Sequence, residues 1–124
     1  MKTTLGKNLT TTSVLEGRTP VETSFTSPRQ NMNPGELLTA ALGGCMMTMV
    51  GYMASKRGDN AEGSSADITA IFDDKHSRII GFDIVLTFPA SFTKEQKDTY
   101  VRAAQTCPVH NSLREDIKYT ITVK

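Results

Sequence analysis

The sequence predicts an α+β fold with mainly antiparallel strand pairing, in a single domain of 124 residues. Three observations support this class: Thr- and Val-rich segments precede a long apolar helical segment, alternating apolar segments follow it, and a second capped helical segment lies near the end. The resulting element order, ββαββαβ, is typical of the α+β class. The chain is close to the usual size of one domain and contains no internal repeat or long linker.

Two β-hairpins are predicted from composition and from alternation. The first pairs residues 9–16 with residues 20–26, both rich in β-prone Thr and Val, across a turn at residues 17–19. The second pairs residues 64–73 with residues 78–88. Alternate positions of its second segment carry large apolar side chains, namely Ile80, Phe82, Ile84, Leu86 and Phe88. This segment therefore has one apolar face, which we expect to point into the core.

A long helix is predicted from Pro34 to about Arg57. Asn33 has the side chain of a good N-cap residue, and Glu36 lies three residues later, as in a capping box. Proline is favoured at the first helical position, where its missing N–H group costs nothing. Gly58 would end the helix in the left-handed conformation that glycine adopts readily.

A shorter helix is predicted from the capping box of Thr93 and Gln96 to about Thr106. The Cys107-Pro108 pair interrupts it, because the residue before a proline is biased away from helical geometry. A short helical turn is expected to restart at Pro108. The chain then ends in an alternating strand whose inward-facing residues are expected to be Ile117, Tyr119, Ile121 and Val123.

The long helix has no charged residue from Leu37 to Ser55, so it needs cover on all sides. A membrane span takes about 20 apolar residues, but the Gly, Thr and Ser content of this segment favours a buried helix of a soluble protein. Residues 34–57 would extend ~36 Å, which equals the diameter of roughly 35 Å expected for a compact domain of this size. We therefore expect a central helix in an obligate homodimer, with the two long helices crossing at Gly43 and Gly44.

The charge balance argues against nucleic acid as a partner. Fourteen Lys and Arg residues face 13 Asp and Glu residues, for a net charge of +1, and no basic cluster stands out. We also expect no membrane partner. The start of the chain, Met1 to Thr4, leads into polar sequence without the apolar core of a signal peptide. With only two cysteines, the chain is predicted to be cytoplasmic, where a cysteine pair is more often catalytic, redox-active or buried than permanently bridged.

The two cysteines are the main candidates for chemistry. Cys45 lies in the middle of the long helix, where a small core hydrophobe is the default interpretation and no neighbouring cation is available. Cys107 stands at a helix start, where backbone N–H groups favour a thiolate, so the residues alone predict Cys107 as the more acidic thiol. The sequence leaves open whether the two sulfurs meet. His110 could act as a base for Cys107 or could be a capping or surface residue, and too few soft ligands surround it to predict a metal site.

Two motifs resemble the OsmC/Ohr family, the osmotically inducible proteins C and organic hydroperoxide resistance proteins. Residues 33–38 (NPGELL) and residues 40–45 (AALGGC) are similar to the central helix of that family, and residues 107–113 (CPVHNSL) to its second cysteine motif. The resemblance implies an intertwined dimer with active sites at its interface and a thiol-dependent peroxidase activity. Cys45 would attack an organic hydroperoxide, and the resulting sulfenic acid would condense with Cys107. A lipoyl-type dithiol would reduce the disulfide, and no metal or bound cofactor is implied.

The resemblance also implies an arginine that holds the Cys45 sulfur as a thiolate. Arg18, in the first hairpin, is the preferred candidate, and Arg29, in the loop before the long helix, is the alternative. The glutamate of the family normally follows the proline directly, whereas this chain has Gly35 there and Glu36 one residue later. Nine helical residues place Glu36 opposite Cys45 and ~13.5 Å along the axis. Glu36 is therefore expected to orient the arginine or to cap the helix.

A different class of function remains open at this point. The same dimer could be a non-catalytic binding protein that holds a small hydrophobic ligand in an apolar interface pocket, with both cysteines in structural roles. The two hypotheses differ in one chemical expectation. A peroxidase forms a disulfide between Cys45 and Cys107 after exposure to hydroperoxide, whereas a binding protein does not.

Overall fold

The computed structural model describes all 124 residues and confirms the α+β class. Nine elements follow one another along the chain: β1 (Lys2–Leu5), β2 (Thr10–Val14), β3 (Val21–Ser24), α1 (Pro34–Arg57), β4 (Ser65–Phe72), β5 (Ile79–Thr87), α2 (Lys94–Ala104), α3 (Pro108–Ser112) and β6 (Lys118–Val123). The chain divides into two compact units, Met1–Ala40 and Ala41–Lys124. The long helix α1 begins in the first unit and continues through the second.

The first unit contains an antiparallel sheet in the order β1-β2-β3. The predicted hairpin is confirmed as β2 and β3, which pair from Thr10↔Ser24 to Ser13↔Val21. Strand β1 was not predicted. Its four residues are all exposed, so they lack the apolar alternation that reveals a strand in a sequence, and pairing with β2 through the backbone fixes their conformation.

The second unit contains a sheet in the order β4-β5-β6. The predicted second hairpin is confirmed as the antiparallel pair β4 and β5, but β6 runs parallel to β5 after a connection through α2 and α3. A parallel partner needs such a crossover. Strand β6 passes very close to Gly81, since a Cβ atom at that position would lie 2.9 Å from the Lys118 carbonyl oxygen. Glycine is thus required for the approach of the two strands.

The core of the second unit forms between one stripe of α1 and the apolar face of β5. The fully or almost fully buried side chains of the two elements are Leu42, Met46, Val50, Ala54, Phe82, Ile84 and Leu86. The alternation predicted for β5 is therefore confirmed. The inward position predicted for Val123 is wrong: this residue is 40% exposed, because it is the last residue of an edge strand.

The predicted helix ends are confirmed in detail. The Asn33 side chain accepts the Glu36 N–H group at 2.8 Å, and the Glu36 carboxylate accepts the Asn33 N–H group at 3.0 Å. Gly58 has φ of +75° directly after α1, as expected for a helix-ending glycine. The same reciprocal arrangement joins Thr93 and Gln96 at the start of α2. These contacts satisfy N–H groups that the first helical turn leaves without partners.

The capping box of α2 gives a stability prediction. Thr93→Ala should lower the free energy of unfolding by about 1 kcal/mol, because it removes the side-chain acceptor for the Gln96 N–H group. Urea denaturation at a fixed protein concentration measures the change. Thr93→Ser retains the acceptor and is the matched control. Equal losses in both variants would contradict the assignment of the cost to the cap.

Within one chain, only one face of α1 is covered. Four of its 24 residues are fully buried, at a spacing of four residues. Gly43 lies against β4 of the same chain, 3.3 Å from the Ile68 side chain where a Cβ would be, so it is not available for the predicted crossing with a second helix. Gly44 has open space around it. By length and mean hydropathy (1.5) α1 could also cross a membrane, a criterion that core helices of soluble proteins meet as well.

Candidate functional site

Cys107 is held at the start of α3 by the backbone of the helix it caps. Its side chain is 0% exposed, and its sulfur accepts the N–H group of His110 at 3.3 Å. The proline that follows occupies the first position of α3, where it has no N–H group to satisfy. The Cys-Pro pair therefore turns the chain and fixes the direction of the Cys107 thiol at the same time.

Cys45 of α1 meets this thiol, although the two residues are far apart in the sequence. Burial raises the pKa of Cys107, and a hydrogen bond with the Cys45 thiol raises it further. The N–H groups of His110 and Val109 act in the opposite direction, as expected at a helix start. The effect of burial on the pKa of Cys107 is larger than that of these two N–H groups. The pKa of Cys107 is therefore raised in the folded chain, whereas its position at a helix start by itself favoured a thiolate.

The exposures of the two sulfurs differ. Cys107 belongs to the fully buried core, whereas Cys45 is only partly buried and packs against that core from α1. Both are free thiols in this structure. A reagent from solvent therefore reaches Cys45 more readily than Cys107. The groups that act on Cys107 in this chain include no arginine or lysine.

His110 and Tyr119 are neighbours of Cys107. The His110 ring lies 4.2 Å from the Tyr119 ring, centroid to centroid, and its Nδ1 atom is 3.1 Å from the Asn111 side-chain oxygen. The contact of His110 with Cys107 runs through the backbone N–H group. Tyr119 also stacks on Phe82 of β5 at 5.9 Å. The hydroxyl of Tyr119 is buried and has no hydrogen-bond partner.

In the first unit, Arg29 and Glu36 form a bidentate ion pair. The Arg29 guanidinium donates to both carboxylate oxygens, at 2.9 and 3.0 Å. This contact and the Asn33 N–H group lower the pKa of Glu36, and Glu36 in turn raises the pKa of Arg29. Glu36 thus both caps α1 and orients an arginine, two roles that the sequence presented as alternatives.

Arg18 lies in the turn between β2 and β3, as predicted, and is exposed. Its guanidinium donates to the Gly17 carbonyl at 3.0 Å, and it forms no ion pair. Of the two candidate arginines, only Arg29 is therefore oriented by a carboxylate. A planar guanidinium that donates to both oxygens of a carboxylate has a fixed orientation, which an unpaired surface arginine lacks.

Comparison with known proteins assigns the chain to a family. Residues 27–122 match the family of OsmC-like proteins, and the chain belongs to this family. No curated protein matches the sequence. Because proteins of this family are soluble, the apolar character of α1 is attributed to packing.

Solved structures share the fold at low sequence identity. A protein from Psychrobacter arcticus, described as an osmotic stress induced and detoxification response protein, is 23% identical with a TM-score of 0.88, over 99% of this chain and 93% of that one. An OsmC-like protein from Mycoplasma pneumoniae is 12% identical with a TM-score of 0.87, over 99% and 93%. The organic hydroperoxide resistance protein OhrB of Bacillus subtilis is 17% identical with a TM-score of 0.72, over 99% and 95%.

Proposed function

We propose that the protein is a thiol-dependent peroxidase that reduces organic hydroperoxides through Cys45 and Cys107. The observation that carries the proposal is the contact between these two thiols, one on α1 and the other at the start of α3. Two neighbouring free thiols are the arrangement from which a disulfide can form. The names of structural relatives, among them OhrB, point to the same chemistry.

The different exposures of the two sulfurs support a division of roles between them. Cys45 is the nucleophile because it is partly exposed and a peroxide can reach it, whereas Cys107 is buried beside it and resolves the product. Burial and the neighbouring Cys45 thiol both raise the pKa of Cys107, which favours the neutral thiol at the resolving position. Three partly buried methionines of α1, Met47, Met49 and Met53, provide apolar surroundings for an alkyl group.

The reaction proceeds in three balanced steps. The Cys45 thiolate attacks an oxygen of the hydroperoxide, so that an S–O bond forms, the O–O bond breaks, and the alkoxide takes a proton and leaves as the alcohol. The Cys107 sulfur then attacks the Cys45 sulfenic acid; the S–S bond forms, the S–O bond breaks, and hydroxide leaves with the Cys107 proton as water. Finally a dithiol of the lipoyl type reduces the disulfide by exchange and is itself oxidised to a cyclic disulfide.

Arg29 of one chain is proposed as the cation that keeps Cys45 of its dimer partner ionised, with Glu36 as the residue that orients it. Arg29→Ala should lower the rate of peroxide consumption about a hundredfold, the usual cost of removing one preorganised charge from a reacting centre. Arg18→Ala should leave the rate nearly unchanged, because Arg18 has no carboxylate to direct it. Stopped-flow measurements of hydroperoxide loss compare the two variants.

Arg29→Lys serves as the control for charge alone, since lysine is a cation but cannot donate to both carboxylate oxygens at once. An intermediate rate is expected. If Arg18→Ala caused the larger loss, the role would return to Arg18, the candidate that the sequence favoured.

The assembly is proposed to be a homodimer of soluble chains in the cytoplasm. Between Leu37 and Ser55 the uncovered part of α1 carries no charge and several small residues, which suits a second copy of the same helix. A reducing compartment is consistent with a mechanism that must regenerate two free thiols at the end of each turnover. Apart from the hydroperoxide and the dithiol, no other small molecule takes part in the proposed reaction.

One experiment tests the proposal directly. The reduced protein is treated with one equivalent of cumene hydroperoxide, digested without reductant and analysed by mass spectrometry. A peptide that links Cys45 to Cys107, together with catalytic consumption of the peroxide when dihydrolipoamide is added, supports the peroxidase. Unchanged thiols would reject it and favour the alternative, a dimer that binds a small hydrophobic ligand without catalysis.

A further inference from the structure

The buried hydroxyl of Tyr119 has no partner in the structure, and it lies beside the cysteine pair. The oxygen is shielded from solvent, and no protein group lies within hydrogen-bonding distance of it. A buried polar group without a hydrogen bond destabilises a fold by roughly 1–3 kcal/mol. Phenylalanine would fill the same space without this cost. The hydroxyl therefore calls for an explanation outside the packing of the resting protein.

The position of Tyr119 is fixed by its neighbours on two elements. Its ring stacks on Phe82 of β5 at a centroid distance of 5.9 Å and meets the tilted ring of His110 of α3 at 4.2 Å. His110 is the residue whose N–H group binds the Cys107 sulfur. The pKa of Tyr119 is raised by burial and also by the negative charge that Cys107 carries when it ionises. The hydroxyl thus lies within the electrostatic reach of the resolving sulfur.

The protonated hydroxyl can act as a donor. Because burial and the neighbouring sulfur both raise the pKa of Tyr119, the phenol keeps its proton at neutral pH. The groups that act on Cys107 are Cys45 of α1 and the N–H groups of Val109 and His110 on α3, and none of them is a side-chain cation. Within the single chain, a thiolate at Cys107 therefore has no side-chain cation beside it, and the Tyr119 hydroxyl is an unused donor near it.

We propose that the Tyr119 hydroxyl donates a hydrogen bond to the Cys107 thiolate during attack on the Cys45 sulfenic acid. The proposal rests on the proposed function for the identity of this step. In the resting protein the raised pKa of Cys107 favours a neutral thiol, which offers the hydroxyl no strong acceptor. When the thiol loses its proton, the sulfur becomes an anionic acceptor, which attracts an O–H donor more strongly than a neutral sulfur does. The proton that leaves Cys107 departs with the hydroxide as water.

Tyr119→Phe removes only this hydroxyl and tests the proposal. Disulfide formation after one equivalent of cumene hydroperoxide, followed by quenched-flow mass spectrometry, should slow about tenfold, the effect of losing one hydrogen bond to a charged group. The rate should rise with pH as Cys107 ionises, and the profile of the variant should lie about one pH unit higher. The free energy of unfolding should stay the same or increase, because an unpartnered buried group has been removed.

Two comparisons separate this role from a structural one and from the peroxidase proposal itself. Tyr52→Phe alters an exposed tyrosine of α1 and should change neither rate nor stability. In a Cys45→Ser background, which cannot react with peroxide by the proposed route, NMR titration of the labelled Cβ atom of Cys107 should still show ionisation at higher pH when Tyr119 is replaced by phenylalanine. An unchanged titration would overturn the inference even if the peroxidase is active. A shifted titration in the Cys45→Ser background, together with no disulfide after peroxide in the protein that keeps both cysteines, would retain the hydrogen bond and reject the peroxidase.

Discussion

Cys45→Ser is expected to abolish the consumption of organic hydroperoxide, with a rate loss of at least about a thousandfold, the scale seen when a nucleophile is removed from a covalent mechanism. Serine at this position is not ionised at neutral pH and does not form a sulfenic acid. The partly buried site on α1 has room for serine, which is smaller than cysteine. Steady-state assays with cumene hydroperoxide and dihydrolipoamide measure the loss, and circular dichroism verifies that the fold is retained.

Cys107→Ser is the matched variant, because it removes the second thiol and leaves the first. It should still release one equivalent of alcohol in a single turnover, since attack on the peroxide needs only Cys45. Without a resolving thiol, Cys45 should then remain a sulfenic acid and proceed to the sulfinic acid with excess peroxide. If Cys45→Ser released one equivalent of alcohol in a single turnover and Cys107→Ser did not, the roles of the two cysteines would be exchanged.

The elements that could be predicted from the sequence are those with local signals. Helix α1 begins and ends where Asn33 and Gly58 indicate, because a cap is a contact between residues three or four positions apart. The pairing of β5 with β6 is different, since it joins residues separated by two helices and is decided by packing. Alternation in β6 marks a strand but does not state its direction. The parallel register and the exposure of Val123 therefore emerge only in the folded chain.

The candidate site likewise combines features with local sequence signals and features that depend on packing. The sequence identified Cys45 and Cys107 as candidates but ranked Cys107 as the more acidic thiol, because a helix start is visible in a sequence and burial is not. Arg29 was one of two candidate arginines, and its bidentate contact with Glu36 distinguishes it from Arg18. Tyr119 was expected to face inward. No sequence signal indicates that its hydroxyl lacks a partner, because that property depends on every neighbour in the fold.

The uncovered face of α1 leads to a prediction whose sign depends on the oligomeric state. A Cβ atom at Gly44 or Gly51 would meet nothing within 4 Å in the single chain. In an exposed helix, Gly→Ala raises stability by about 1 kcal/mol, because alanine is the better helix former. If a second α1 packs closely there, the added methyl groups separate the two helices. We expect the second result: Gly44→Ala with Gly51→Ala should lower the melting temperature and shift the dimer towards the monomer in sedimentation at micromolar concentration.

Concentration dependence gives this experiment its control. The melting temperature of a dimer rises with protein concentration, because association stabilises only the folded chains, whereas that of a monomer does not. Gly43→Ala provides the comparison within one helix, since its methyl group would press on Ile68 of the same chain and should destabilise the fold without changing the dissociation constant. A monomer mass at every concentration, together with higher stability of the Gly44 and Gly51 variant, would contradict the dimer. The cover for α1 would then have to come from something other than a second copy of the chain.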